Sequence, residues 1–329
     1  RDWPGKTLWP WHVDAAKGVR SLPKDLNRLP KLRDSLSFLY IEHAVIEQDG
    51  LSIVVLRKGE RVPVPIAAMT VLMLGPGVRI THAAVKTICD NGCTVIWCGE
   101  FGSRFYAVGM GETRSAANLL MQAKLCMDEE RHMEVVRRMY VRRFPDMDCS
   151  GLALRQIRGL EGIRVREAYR QFAGQYGVPW KKGSYKQEDW DEADPIHRAL
   201  SVANSVLYGI CQAAIVSLGF SPGLGFIHTG KMLSFVYDIA DFYKLETSVP
   251  AAFSVIGGSY ADLEREVRTA CRRWIRIARV LKRIPEDIAW IFAQPSMDDQ
   301  ENATEAGSLW DRGGEQLRGG HNYAEEADE

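Results

Sequence analysis

The spacing of apolar residues changes once along this chain of 329 residues, and that change limits the folds the chain can adopt. Between residues 36 and 109, short apolar runs alternate with turn signals, which is typical of strands. After Gly109, Gly111 and Thr113, apolar residues recur at helical spacing. The change predicts an α+β protein, with a β-rich domain followed by an all-α domain.

Four segments are predicted from this pattern. Residues 1–30 are interpreted as an irregular arm, residues 31–110 as the β-rich domain and residues 111–293 as the α-helical domain. Residues 294–329 carry ten acidic and two basic side chains, together with many polar residues. Such a composition cannot bury enough apolar surface to order a chain, so this tail is predicted to be disordered.

Turn and cap residues mark the ends of several predicted elements. Asp49-Gly50 predicts a tight hairpin, and Thr81 is expected to cap a short helix. Pro63 excludes a central strand at its position, because proline has no N–H to donate to a neighbouring strand. Single helices are expected over 118–144 and over 261–283, where the apolar spacing continues.

The formal net charge is zero, but the charges are unevenly distributed. The 293 residues before the acidic tail hold 40 basic and 32 acidic side chains, which favours a polyanionic partner. Seven cysteines without a CxxC pair indicate buried thiols rather than a metal site. Because no signal peptide and no apolar run of about 18 residues is found, the protein is expected to be cytoplasmic and off the membrane.

The stretch from Ser217 to Glu246 contains the residue types of a metal site. His228 stands between two glycine-bearing turns, and a predicted short helix carries Asp238 and Asp241 three residues apart. Side chains at this spacing share one face of a helix. The commonest alternative is a buried histidine whose ring is satisfied by the backbone.

A third acidic candidate, Glu161, stands among arginines at three-residue spacing. It is flanked by Gly159 and Gly162, and a glycine inside a helix costs about 1 kcal/mol relative to alanine. This cost suggests that another group approaches the backbone closely at Glu161. The alternative is an ordinary exposed surface with salt bridges.

Glu161, His228 and Asp241 together supply two carboxylates and one imidazole. This set suits Mg²⁺ or Mn²⁺ with open positions for water, and the lack of a thiolate argues against structural zinc. Beside a basic surface, such an ion can polarise a phosphodiester and stabilise charge on its oxygens. The sequence alone does not bring the three side chains together.

Six arginines share one face of the helix expected over 261–283, and we interpret that face as a track for DNA phosphates. The alternative is a solvated face whose arginines pair with acids elsewhere. The six residues of this arginine stripe are Arg265, Arg268, Arg272, Arg276, Arg279 and Arg283.

Three separated segments resemble those of a known family. The strings RGLEGIRVREAY, LGFIHTGKMLSFVYDIADFYK and MLGPGVRITHAAV are similar to segments of the CRISPR-associated adaptation integrase, a metal-dependent DNA endonuclease, in the form of the type I-E branch. The likeness covers about Leu22 to Phe292. It implies an N-terminal β-domain and a C-terminal helical, catalytic domain, in agreement with the change of spacing.

The resemblance also implies particular site residues. The family's metal ligands, one Glu, one His and one Asp, fall on Glu161, His228 and Asp241, and these would bind Mg²⁺ or Mn²⁺. Asp238 matches a further acidic position, as a ligand, a support for a ligand or a DNA contact. Basic residues that match the family's DNA contacts are Arg79, Lys86, Arg104, Lys231 and Lys244.

The reaction implied by the resemblance is transesterification, in which the 3′-OH of prespacer DNA attacks a phosphodiester at the CRISPR repeat. The biological outcome would be spacer acquisition for antiviral defence. The expected partners are double-stranded DNA, a second copy in a homodimer and a small ferredoxin-like CRISPR-associated protein. Two other functions stay open at this point: a structure-selective nuclease for branched DNA in repair, and a non-catalytic DNA-binding scaffold.

Overall fold

The β-rich part of the chain contains eight short strands and one helix in the residues that the structure describes. The computed structural model describes residues 38–102, 104–111, 116–145, 152–180, 194–292, 308–309 and 317–318. The elements of the β-rich part are β1 (Phe38–Ile41), β2 (Val45–Asp49), β3 (Ser52–Arg57), β4 (Glu60–Val64), β5 (Val71–Leu74), β6 (Arg79–Ile80), α1 (His82–Asp90), β7 (Thr94–Cys98) and β8 (Phe105–Gly109).

These strands form two four-stranded sheets, in the orders β4-β3-β2-β6 and β1-β5-β7-β8. The hairpin predicted at Asp49-Gly50 joins β2 to β3, and Gly50 has the positive φ of +61° that such a tight turn requires. Pro63 lies in β4, which is an edge strand, so its missing N–H breaks no central ladder. Both sequence predictions are confirmed.

Helix α1 packs against strands of both sheets and closes the core of the β-rich part. The Thr81 hydroxyl accepts a hydrogen bond from the N–H of Ala84 at 3.2 Å, which confirms the predicted cap. Cys93 and Cys98 are buried, as expected for structural thiols, and burial raises the pKa of Cys98 to about 12.

The helical part is built around one long apolar helix, α5, which packs against α6, α7, α8 and α9. The helices are α2 (Ala117–Met127), α3 (Glu129–Arg143), α4 (Leu154–Tyr176), α5 (Pro195–Ser217), α6 (Ser234–Ala240), α7 (Ser248–Ile256), α8 (Leu263–Ile277) and α9 (Val280–Phe292). By length and composition α5 could cross a membrane, but 67% of its most apolar window is buried inside the protein. Strands followed by helices confirm the predicted α+β class.

Two helices that the sequence predicted as continuous are each divided in two. The helix expected over 118–144 breaks at Asp128, whose backbone is extended and whose carboxylate accepts from the N–H of Arg131 at 3.1 Å. Asp128 therefore caps the start of α3. The helix expected over 261–283 breaks at Arg279, which has a left-handed φ of +51° and separates α8 from α9. Helix α7 was not predicted.

The β-rich part lies directly against α5. Ala213 of α5 shares an apolar core with buried residues of β5 and β7. One position on α5 permits no side chain, because a Cβ added at Gly209 would lie 2.3 Å from the carbonyl oxygen of Gly102. Backbone therefore meets backbone where the two parts of the molecule join.

Part of the predicted acidic tail forms regular structure. Ser308–Leu309 (β9) pairs antiparallel with Leu317–Arg318 (β10). Each short strand contains an apolar leucine, and the disorder of the tail stays a prediction. The rest of the tail and the predicted arm at 1–30 lie outside the described residues.

Candidate active site

Two acidic side chains from different helices meet at the last residue of α3. Nη1 of Arg143 hydrogen-bonds to Oε1 of Glu161 on α4, and it lies 3.3 Å from Oδ2 of Asp241, directly after α6. The side chains are 8% exposed at Arg143, 20% at Glu161 and 11% at Asp241. Two of the three predicted ligands are therefore brought together, with a nearly buried cation between them.

The other oxygens of both carboxylates also have donors. The Tyr140 hydroxyl donates to Oε2 of Glu161 at 3.1 Å, and Nζ of Lys244 lies 2.6 Å from Oδ1 of Asp241. Burial, and then the Glu161 charge, raise the pKa of Tyr140 to about 12. Burial disfavours the charged form of Lys244, but Asp241 and Tyr208 outweigh it and raise the pKa of the ammonium.

The third predicted ligand, His228, is held by Asp238 rather than by Asp241. Oδ1 of Asp238 accepts from the N–H of His228 at 2.9 Å and lies 2.8 Å from its ring Nδ1. Oδ2 accepts from the N–H groups of Phe226 at 2.6 Å and Ile227 at 3.2 Å. Asp238 is fully buried, so one carboxylate shapes the whole loop that carries His228.

Asp238 orients the His228 imidazole and favours its protonated form. The hydrogen bond to Asp238 raises the pKa of His228, and burial opposes that shift. Because Nδ1 faces Asp238, Nε2 points away from it, and Nε2 has no hydrogen-bond partner among the described residues. A carboxylate behind one ring nitrogen is the arrangement that typically supports a metal-binding histidine.

The donor set fits a hard divalent ion in chemistry, although the side chains are not arranged around one. No group of three His, Cys, Asp or Glu side chains is placed to hold a metal ion within the described ranges. Glu161 and Asp241 instead share the Arg143 guanidinium. Oxygen and imidazole ligands suit Mg²⁺ or Mn²⁺.

The glycines near the site differ in how closely other atoms approach them. A Cβ at Gly159 would meet nothing within 4 Å, and one at Gly162 would meet only the side chain of Arg166, at 3.6 Å. The described parts of the chain therefore make no close approach to the α4 backbone at Gly159 or Gly162. At Gly225, in contrast, a Cβ would lie 2.2 Å from the carbonyl oxygen of His228, so this glycine lets the histidine loop pack on itself.

The basic residues predicted to contact DNA have unlike surroundings. Arg79 on β6, Arg104 and Lys231 are exposed, and Arg104 has a left-handed φ of +54°. Lys86 is exposed and forms an ion pair with Asp90 at 2.6 Å. Lys244 is different, because its ammonium lies against the Asp241 carboxylate within the site. Their roles in DNA binding stay predictions.

The arginine stripe is not one row of equivalent side chains. Arg268 lies 3.3 Å from Glu264 and 3.8 Å from Glu100, so it links α8 to the β-rich part. Arg283 lies 2.6 Å from Glu246. For these two arginines the alternative of pairing with acids is correct. Because the predicted helix divides at Arg279, the stripe extends over two helices.

Sequence reasoning missed two residues of this site, Tyr140 and Arg143. Their three-residue spacing on α3 places them on one face, which is the local signal that could have linked them. In the sequence, however, Arg143 resembles any basic residue at the C-terminal end of a helix. Its contacts with Glu161 and Asp241 join residues that are far apart in the sequence, so no local pattern predicts them.

Comparison with known proteins supports the same fold. The family model described as CRISPR associated protein Cas1 matches residues 38–148 and 147–257. The chain is 50% identical over 308 residues to CRISPR-associated endonuclease Cas1 2 of Thermus thermophilus, covering 92% of this chain and 94% of that protein. It is 40% identical over 260 residues to CRISPR-associated endonuclease Cas1 of Escherichia coli, covering 79% and 85%.

A solved structure has the same architecture. The chain in the crystal structure of the TtCas1–DNA complex aligns with a TM-score of 0.74 and 53% identity, over 80% of this chain and 99% of that one. The α+β fold and the site segments thus define a CRISPR-associated protein of the adaptation type. The chain belongs to the Cas1 family.

Proposed function

We propose that this protein is a metal-dependent DNA endonuclease and integrase of CRISPR adaptation. It would join the 3′-OH ends of prespacer DNA to the CRISPR repeat and so acquire spacers for antiviral defence. The observation that carries the proposal is the meeting of Glu161 and Asp241 at one cation, near a histidine oriented by Asp238. Similar proteins are named endonucleases, and one was solved with DNA.

Glu161, Asp241 and Nε2 of His228 are the groups that would hold Mg²⁺ or Mn²⁺. A bound divalent ion supplies Lewis acidity, which polarises a phosphodiester and stabilises charge on its oxygens. Asp238 keeps Nε2 available by occupying Nδ1, and the same carboxylate holds the loop in place.

The proposed reaction conserves the number of phosphodiester bonds. The prespacer 3′-oxygen forms a bond to the phosphorus at the 5′ end of the repeat strand, the bond from that phosphorus to the 3′-oxygen of the flanking nucleotide breaks, and the attacking hydroxyl's proton passes through solvent to the leaving oxygen. No high-energy cofactor is needed for this balance. The protein's share of the work is to position the DNA and the charges around it.

DNA would be held by cations on the outside of the site. Arg79, Arg104 and Lys231 are exposed for phosphate contacts, and Lys86 would first have to leave Asp90. Lys244 would instead contact the Asp241 carboxylate. A homodimer and a small ferredoxin-like CRISPR-associated partner complete the proposal, and both come from the family resemblance.

The test is an integration assay with short duplex DNA carrying free 3′-OH ends, a plasmid carrying the repeat, the small partner, and Mg²⁺ or Mn²⁺. Glu161→Gln and Asp241→Asn are expected to reduce joining by about 10²-fold or more, because each removes a charge that acts on the reacting phosphate. Glu167→Gln, an exposed residue on the same helix, is the matched control and should join DNA normally.

The products separate the proposal from its alternatives. Full joining by Glu161→Gln and Asp241→Asn would contradict the assigned site. Cutting of branched DNA without any joined product would favour a structure-selective repair nuclease. DNA binding with neither product, whichever metal is added, would favour a non-catalytic scaffold.

A further inference from the structure

Arg143 occupies the place between the two acids that matter most in the proposed site. Its Nη1 contacts oxygens of both Glu161 and Asp241, and its side chain is only 8% exposed. An arginine between two carboxylates neutralises charges that would otherwise repel each other across a partly dry site.

Every carboxylate oxygen in this cluster already has a hydrogen-bond donor or a cation within 3.3 Å. Arg143 serves one oxygen of each acid, the Tyr140 hydroxyl serves the second oxygen of Glu161, and the Lys244 ammonium serves the second oxygen of Asp241. Two negative and two positive side chains therefore cancel. A divalent ion entering this cluster would meet occupied oxygens and two cations, which oppose it by direct repulsion.

Arg143 is held there by charge more than by complete hydrogen bonding. Its Nε is buried and has no hydrogen-bond partner among the residues that the structure describes. The neighbouring Arg142 is bound in a fuller way, through both Nε and Nη2, to Asp287. A buried donor without a partner reduces stability, so Arg143 is held in its present position less firmly than a fully hydrogen-bonded guanidinium would be.

We propose that Arg143 is a built-in substitute for the metal ion. In the metal-free protein it keeps Glu161 and Asp241 together, and it leaves that place when a divalent ion binds. The inference rests on the proposed function, since it takes both acids as metal ligands. Arg143 is then a positioning residue that sets metal affinity by competing for the same oxygens.

This role and a purely structural role predict opposite effects of removing the charge. If Arg143 competes with the metal, a neutral residue leaves Glu161 and Asp241 with uncompensated charge and the ion binds more tightly. If Arg143 only holds the acids in a binding geometry, its removal loosens them and the ion binds more weakly.

The experiment measures binding of Mn²⁺ alone to the full chain, freed of metal and without DNA, by titration calorimetry and by the spectroscopic signal of free aqueous Mn²⁺. Arg143→Gln is expected to lower the Kd by about tenfold or more, because a neighbouring positive charge is removed. Arg142→Gln is the matched control and should keep the Kd within about twofold. Unchanged or weaker binding by a folded Arg143→Gln would overturn the proposal.

Thermal unfolding provides a second readout that does not depend on DNA joining. Arg143→Gln should have a lower Tm than the wild type in EDTA and a larger rise in Tm on addition of Mn²⁺, since the ion replaces the lost cation. If Arg143→Gln does not fold in either condition, Arg143→Lys takes its place. A lysine keeps the positive charge, but its shorter side chain does not bring the nitrogen to the position that Nη1 occupies between both acids. Mn²⁺ should therefore still bind more tightly than to the wild type, and equal or weaker binding would refute the proposal.

Glu161→Gln distinguishes failure of the inference from failure of the proposed site. If the wild type binds Mn²⁺ and Glu161→Gln binds it much more weakly, the proposed metal site is supported. The Arg143 variants then test whether the ion exchanges with Arg143. If the wild type binds no Mn²⁺, or Glu161→Gln binds it equally well, the metal site is wrong and the exchange is wrong with it.

Discussion

Two carboxylate clusters lie on either side of the last turn of α3, and they use the same residue types to different ends. In one, Arg142 and Tyr243 bind Asp287, which is 1% exposed. In the other, Arg143 and Tyr140 bind Glu161, which is 20% exposed. Consecutive arginines on a helix point about 100° apart, so each reaches a different cluster.

The difference between the clusters lies in how completely the charges are satisfied. Asp287 receives two donors of one guanidinium on Oδ1 and the Tyr243 hydroxyl on Oδ2. In the second cluster one guanidinium nitrogen serves two acids, and Nε of Arg143 serves none. We call the Asp287 cluster the saturated cluster and expect it to stabilise the fold. We expect the Glu161 cluster to exchange its partners, as proposed above.

The largest expected effect on stability comes from removing Asp287, the acid of the saturated cluster. Asp287→Ala should lower the free energy of unfolding by about 3 kcal/mol, at the low end for a broken buried pair because Arg142 is 40% exposed and can turn to water. Urea denaturation measures this loss. Glu286→Ala, its exposed neighbour on α9, is the control. A loss below about 1 kcal/mol, or a large change in Mn²⁺ affinity, would show that the clusters do not differ as described.

Each cluster contains one tyrosine, Tyr243 or Tyr140, and removing its hydroxyl should lower stability by a smaller amount. Tyr243→Phe should lose about 2 kcal/mol, because Oδ2 of the buried Asp287 carboxylate loses the donor that the Tyr243 hydroxyl provides. Tyr140→Phe should lose about 1 kcal/mol, because water can reach the partly exposed Glu161 in place of the hydroxyl. Mn²⁺ binding should respond only to Tyr140→Phe. The reverse order of stability, or a metal response to Tyr243→Phe alone, would contradict this distinction.

The smallest expected effect is a dependence on pH confined to the site cluster. The pKa of His228 is raised in the folded protein by Asp238, so its stabilisation is complete below the unfolded pKa of about 6.5 and is lost as pH rises through the folded pKa. In metal-free protein, the stability difference between wild type and His228→Gln should therefore shrink as the pH rises above about 6.5. The change should stay below about 1 kcal/mol, because the side chain is 42% exposed.

The saturated cluster is the control for this titration. Burial, and then Asp287, raise the pKa of Tyr243 well above its usual value, so the phenol stays protonated throughout that titration. Tyr243→Phe should consequently leave the pH dependence of stability unchanged. A difference between wild type and His228→Gln that grows with pH would have the wrong sign and would contradict the assigned cause of the shift.

The sequence was most informative where the deciding interaction is local. The hairpin at Asp49-Gly50 and the cap at Thr81 each depend on a few consecutive residues, and both were predicted correctly. The break at Asp128 was also readable, since an aspartate before Glu129 and Glu130 is a typical helix start. Arg279, in contrast, has a left-handed backbone without a glycine or asparagine to indicate it.

The candidate site was predictable in its residue types but not in its pairings. Glu161, His228 and Asp241 could be named from their chemistry and from the family resemblance. That Asp238 supports His228 while Asp241 turns to Arg143 and Lys244 could not, because three-residue spacing places both acids on one face and says nothing of what packs against each.

The contact between Gly209 and Gly102 has a mechanical consequence for the site. Because no side chain separates α5 from the loop after β7, the two backbones are in direct contact, and a side chain at position 209 would push them apart. Tyr208, next to Gly209, lies beside Lys244, whose ammonium is 5.1 Å from the tyrosine ring centre. A displacement of the β-rich part would carry α5 with it and be transmitted through Tyr208 to the ammonium beside Asp241.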